Sequence, residues 1–258
     1  MTVSARDLTV VARFNGRLFW RDRTALSTSV ALFLLLGTGM PLLMDRLGAG
    51  SQELLVNMHL GMLTTVLVIS TFQQTTVTLC VRRDQLLLKR LRATGLSDRD
   101  ILGGEIANLV LQSTALTVLV SVALYGLTSL PVPRDPLLYL FAVVAGALVL
   151  CLLGAAFTVA VPRSELAAPM AMPFFLLAGL GAGGFGPIMQ VLPGWVGTVL
   201  GLLPTDAIVD MARTAYAAHG SLGEDLRAAA VPTLKLAVWA AIGAFVIVRR
   251  FRWESRKS

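Results

Sequence analysis

Two stretches of this sequence carry polar residues at spacings that suit more than packing. The first runs VRRDQLLLKRLRATGLSDRDILGGE, from Val81 to Glu105. Coiled as a helix, it sets Leu87, Leu88 and Leu91 within an arc of about 100° and fills the remaining surface with Arg83, Lys89, Arg90 and Arg92. Gly95 suits a left-handed helix stop, and Ser97 with Asp100 has the spacing of a capping box that opens the next helix. A short basic helix with an apolar stripe, stopped and restarted on cue, has the form of an element that docks in a groove on another protein and passes on its movement. A loop that only fixed membrane topology would need the charge but not the stripe, the stop or the cap. The second stretch holds Thr64, Thr71, Thr75 and Thr78, with Gln74 at their edge, on one helical face, followed along the chain by Asn108, Gln112, Ser113, Thr114 and Thr117. In an apolar segment such residues face the interior of a helix bundle, where they line a pathway or hydrogen-bond between packed helices; the pattern fits both.

Other chemistries lack their residues. There is no H-E-x-x-H and no G-x-S-x-G, so a membrane protease or lipase has no visible metal or nucleophile. His59 and His219 stand apart from any Cys or carboxylate at metal-ligand spacing and are expected at the surface or interface. Cys80 and Cys151 fall at different depths on different helices, against a disulfide. The only lysines are Lys89, Lys235 and Lys257, and none follows Gly, so the chain has no phosphate loop for a nucleotide. No ionisable residue falls near the middle of an apolar segment. Glu105 lies at the start of one, and Lys235 about two turns into another, where a long side chain can reach outward. Ion-coupled transport usually needs a buried carboxylate or histidine, so this pattern argues against a proton-driven exchanger.

The elements that must position these residues are membrane helices. Of the 258 residues 55% are hydrophobic and 14% charged, against about 25% charged in a soluble domain. Apolar runs long enough to cross about 30 Å of hydrocarbon recur near Leu26–Met44, Asn57–Cys80, Glu105–Leu130, Leu137–Val161, Ala168–Gln190 and Ala229–Val248. The alternating ten-residue pattern of a membrane β-barrel is missing, so the expected fold is an all-α membrane protein of six transmembrane helices in one domain. Arginines and lysines crowd the N-terminal arm, the loop of residues 81–104, and the tail of residues 249–258; with Arg163 they predict that both termini and this loop are cytoplasmic. The same bias accounts for most of the net charge of +7, which therefore does not point to nucleic acid. The arm of residues 1–24 puts Leu8, Val11, Phe14, Leu18 and Phe19 opposite Arg6, Arg13, Arg17 and Arg21, as in a helix lying in the interface against lipid phosphates. A long apolar run follows it directly, which reads as a span rather than a removable signal. Pro169 and Pro173 predict a kink early in the fifth span, and the glycines from Gly179 to Gly186 a break at its end. The piece from Trp195 to Leu203 is too short to cross and is expected to re-enter or lie along the outer leaflet, ahead of an amphipathic piece from Ala207 to Tyr216.

Taken together, the six-span layout, the interfacial N-terminal helix, LKRLRATGLS (Leu88 to Ser97) and LPGWVGTVLGLLPTDAIVDMARTAY (Leu192 to Tyr216) resemble the type-2 family of ATP-binding-cassette transporter permeases across nearly the whole chain. Pro193, Pro204 and Arg213 keep that family's spacing, while Ala207 departs from its usual polar or aromatic residue. The resemblance implies a permease in a bacterial cytoplasmic membrane that exports a drug, antibiotic, lipid or other apolar or amphiphilic compound. It implies pairing with a second permease subunit, itself or a sister, and a coupling helix formed by the basic loop. It also implies a separate ATPase subunit that binds ATP and magnesium, with no cofactor on this chain. The competing readings are a secondary transporter driven by an ion gradient and a membrane enzyme acting on lipid.

Overall fold

The structure is a computed structural model that describes residues 51–87, 97–182, 193–217 and 222–251, with part of 31–48. Described positions between 31 and 46 are helical, in the region of the predicted first span. The predicted interfacial arm, the middle of the basic loop and the Gly-rich end of the fifth span lie outside the described residues. Those that are described form helices and no strands.

A first rod combines α1 (Gln52–Val68), one π-helical turn (Ile69–Gln73) and α2 (Gln74–Asp84). Ser51 starts it by accepting a hydrogen bond from the Leu54 amide at 3.3 Å. The Ser97–Asp100 capping box is formed as predicted, with the Asp100 amide 3.3 Å from Ser97 Oγ and the Ser97 amide 3.2 Å from Asp100 Oδ2; it opens α3 (Asp98–Leu127). Asp135 accepts from the amides of Leu137 and Leu138, and Pro136 sits where no donor is needed, which starts α4 (Pro136–Phe157). The fifth span, α5 (Ala167–Gly181), remains helical through both prolines: Pro169 lies in the first turn, where its missing N–H costs little. Then come α6 (Gly194–Leu200) and α7 (Pro204–Tyr216), bent by 84° to each other, and the long α8 (Leu222–Arg250). Among the described residues five helices are long and apolar enough to cross a membrane, or six if the bent pair is one span. The bend falls where the sequence predicts a short apolar piece followed by an amphipathic one.

The helices share one core around α1, α4 and α7, where Leu60, Leu67, Val120, Leu124 and Met211 are fully buried. Small residues let α4 approach its neighbours closely. A Cβ at Gly154 would overlap the Phe72 carbonyl of the π turn, and one at Gly146 would lie 2.7 Å from Ile208 Cδ1 on α7. By contrast α3, α4, α5 and α8 leave large apolar side chains such as Leu111, Leu148, Leu176 and Phe245 exposed on their outer sides, the expected boundary with lipid or another subunit.

Candidate functional site

The two ends of the basic loop are clamped to the bundle. At the close of α2, the buried Arg83 donates from Nη1 to the Thr158 carbonyl at 3.2 Å and from Nη2 to the Val161 carbonyl at 3.0 Å, both in the turn that follows α4. Asp84 beside it lies 3.6 Å from Arg83 Nε and accepts from the Ser164 amide at 2.9 Å. Arg82 meets Glu105 of α3 at 2.8 Å, so the last turn of α2 is tied to the first turns of α3 as well as to the approach to α5. Glu105 is thus the partner of Arg82, a role that only the pairing of opposite charges across the loop could have suggested in the sequence. Arg83 differs from expectation: it is 3% exposed rather than part of a basic surface, because its fork satisfies turn carbonyls that lipid could not.

Between these clamps the backbone turns sharply. Leu86 has φ of +58°, in the left-handed region, and its amide bonds to the Arg83 carbonyl at 3.1 Å. Span two therefore stops at this point, and Leu87 beyond it is helical. Sequence reading placed a break only at Gly95, since a leucine carries no signal for that conformation. Leu88, Lys89, Arg90, Leu91, Arg92 and Gly95 lie outside the described residues, while Ser97 caps α3 at the far side of the loop.

The polar residues of the bundle separate into two kinds. Thr64 and Thr71 are buried and donate back to the carbonyls of Leu60 (2.8 Å) and Leu67 (2.5 Å) of their own helix. Thr75 is also buried. Gln74, Thr78, Asn108 and Gln112 instead keep part of their surface open, and Gln112 Oε1 is unpartnered among the described residues. The π turn adds about one residue, some 100° of rotation, so Thr64 does not share a single stripe with Thr75 and Thr78. Thr76, which the sequence did not single out, bridges from the Phe72 carbonyl (2.8 Å) to the Gly154 carbonyl of α4 (3.0 Å).

At the opposite end of the bundle from Arg83 is a polar cluster that the sequence hid. His59, expected at the surface, is fully buried, and its ring stands edge-on to Tyr125 with centroids 6.2 Å apart. The hydroxyls of Tyr125 and Tyr216 are 2.8 Å apart, as are those of Ser121 and Tyr139. These residues join α1, α3, α4 and α7, and distance along the chain concealed their meeting. The α6–α7 bend is pinned in turn by α8: Lys235 donates to the Gly201 carbonyl (3.1 Å) and Asp206 (3.2 Å), and Trp239 to the Leu202 carbonyl (2.9 Å). Lys235, whose long side chain can reach outward from within its span, holds this turn. Pro193 caps α6, Pro204 opens α7, and Arg213 spans Asp210 (2.9 Å) and Asn57 of α1 (3.0 Å).

The family described as ABC-2 type transporter matches residues 6–216, from the N-terminal arm through the end of α7. No curated protein matches the chain. A match over most of the sequence, on a bundle of apolar helices with a bent pair before the last span, shows that the chain belongs to the ABC-2 type transporter family as an integral membrane permease.

Proposed function

We propose that this permease exports an apolar or amphiphilic small molecule, such as a drug, antibiotic or lipid, from a bacterial cell, driven by ATP hydrolysed on a separate ATPase subunit. The Arg-rich end faces the cytoplasm in this reading, following the positive-inside bias. A second permease subunit, most simply a second copy of this chain, completes the pathway, which Gln74, Thr78, Asn108 and Gln112 help to line. ATP and magnesium belong to the ATPase alone. The observation that carries the reading is the clamped loop. Arg83 ties its first end to the turn between α4 and α5, the Arg82–Glu105 pair joins it to α3, and Ser97 caps its return, so a push on the loop is delivered to four spans at once.

Leu87→Glu or Leu91→Glu puts a charge into the apolar stripe of the loop. Either variant is expected to insert normally in the membrane but to lose co-purification with the ATPase, and retention of the ATPase at the wild-type level would sink the coupling role. The buried imidazole of His59 is the observation that favours an ion-coupled carrier instead. Transport by proteoliposomes that persists without ATP and collapses with the ion gradient would select that second reading.

A further inference from the structure

A cavity of about 710 Å³ opens between the π turn and helices α4, α5 and α8, within the span of about 300–1,000 Å³ usual for ligand sites. Its wall is aromatic: Phe72, Phe157 and Phe174 pack with ring centroids 5.0 to 5.4 Å apart, and Trp239 stands on the α8 side. Trp239 and Arg250 lie eleven positions apart on one helix, so the lining extends for about 16 Å along α8. Polar side-chain groups free to meet a ligand are confined to its two ends, the Thr205 hydroxyl near Trp239 and the Arg250 guanidinium at the Arg-rich end of the bundle. Arg250 has no ion pair among the described residues. The mouth is flanked by exposed apolar side chains, Leu177 and Phe245, on sides of α5 and α8 that face outward from the bundle.

From this arrangement we infer that the cavity binds one acyl chain of an anionic membrane lipid, with the phosphate headgroup paired to Arg250 and the chain running along the aromatic wall toward Trp239. The charge selects the headgroup: at the end of a membrane helix an exposed guanidinium meets a lipid phosphate in fork geometry, which zwitterionic lipid offers less favourably because its own ammonium competes. Length and apolarity select the occupant, since a flexible hydrocarbon chain fills a narrow apolar slot that opens sideways toward the bilayer. Position gives the site its consequence. It borders the π turn of span two and the start of α7, so an occupied cavity props apart the elements that the loop clamps would move. Binding needs neither ATP nor a transport substrate, and its test stands apart from that of export.

Replacing Trp20, Trp195 and Trp253 by Phe leaves Trp239 as the only tryptophan in the full-length chain, to be excited selectively over tyrosine. The protein is then placed in nanodiscs doped with phosphatidylglycerol or phosphatidylcholine carrying brominated acyl chains, at equal mole fraction. The anionic probe is expected to quench Trp239 with about fivefold higher apparent affinity than the zwitterionic one. Arg250→Gln removes that preference and Arg250→Lys restores much of it, while Arg249→Gln, whose native side chain lies over the Phe245 ring, leaves it unchanged. Ala156→Phe fills the cavity and lowers quenching by both lipids to the level of the surrounding bilayer. Equal quenching by the two lipids in the parent protein, or an Ala156→Phe variant quenched as strongly as the parent, would overturn the assignment. So would the lack of quenching by either lipid, because the slot would then be covered by the chain itself or by a second copy.

Discussion

At the close of α2 one guanidinium meets a requirement that lipid and loop leave open. The turn after α4 presents the carbonyls of Thr158 and Val161 away from water, and Arg83 satisfies both with a single planar fork. Arg83→Ala leaves two buried acceptors and the Asp84 carboxylate without this partner, and is expected to cost about 2–4 kcal/mol. Arg83→Lys keeps the charge but cannot span both carbonyls, so its loss should be smaller. Thermal unfolding of the two variants in detergent orders them; equal midpoints for wild type and Arg83→Ala would show that the fork does not hold the turn. Arg82 works differently, since its partner Glu105 is carried by another helix and the pair closes the base of the loop.

Among the elements, the π turn of the first rod shapes most of what surrounds it. Its extra residue rotates the later part of span two and brings the Phe72 carbonyl up to Gly154, where only a glycine leaves room. Gly154→Ala must push α4 off the rod, break the Thr76 bridge and disturb the aromatic wall, at an expected cost of about 1–3 kcal/mol. The matched Gly126→Ala, at a position where a Cβ meets nothing, is the control. Urea or thermal titration of both variants in detergent checks this, and equal stability would mean that the approach is slack enough to absorb a methyl group. The bent pair is shaped from outside in the same way: nothing in α6 or α7 alone sets an angle of 84°, but Lys235 and Trp239 of α8 hold the carbonyls at the corner.

For the whole molecule, the distribution of basic residues predicts a definite orientation, and labelling can test it. In a Cys80→Ala, Cys151→Ala background, a cysteine placed at Glu53 in the first turn of α1 and one placed at Glu165 before α5 mark opposite ends of the bundle. A membrane-impermeant thiol reagent is expected to reach the first in intact cells and the second only after permeabilisation, and the reverse pattern would invert the proposed topology. Membrane class, the bulk of the spans and the capped start of α3 were legible in the sequence, because each depends on residues within one stretch: an apolar run must match the hydrocarbon thickness, and Ser97 needs only Asp100 three positions on. The break between a short apolar helix and the amphipathic one that follows was legible for a similar reason, the first piece being too short to cross. The burial of His59 and Arg83, the π turn and the Lys235 anchor were not, because each depends on groups from helices far apart in the chain, as with Arg213 and Asn57, 156 positions distant; the left-handed Leu86 was not because a leucine carries no signal for that conformation. Hydropathy thus determined that these helices lie in a membrane and how many to expect. Which polar groups they share, and where they leave a cavity between them, was decided only when the helices packed, since in lipid each polar atom must find its partner on whichever neighbour the packing supplies.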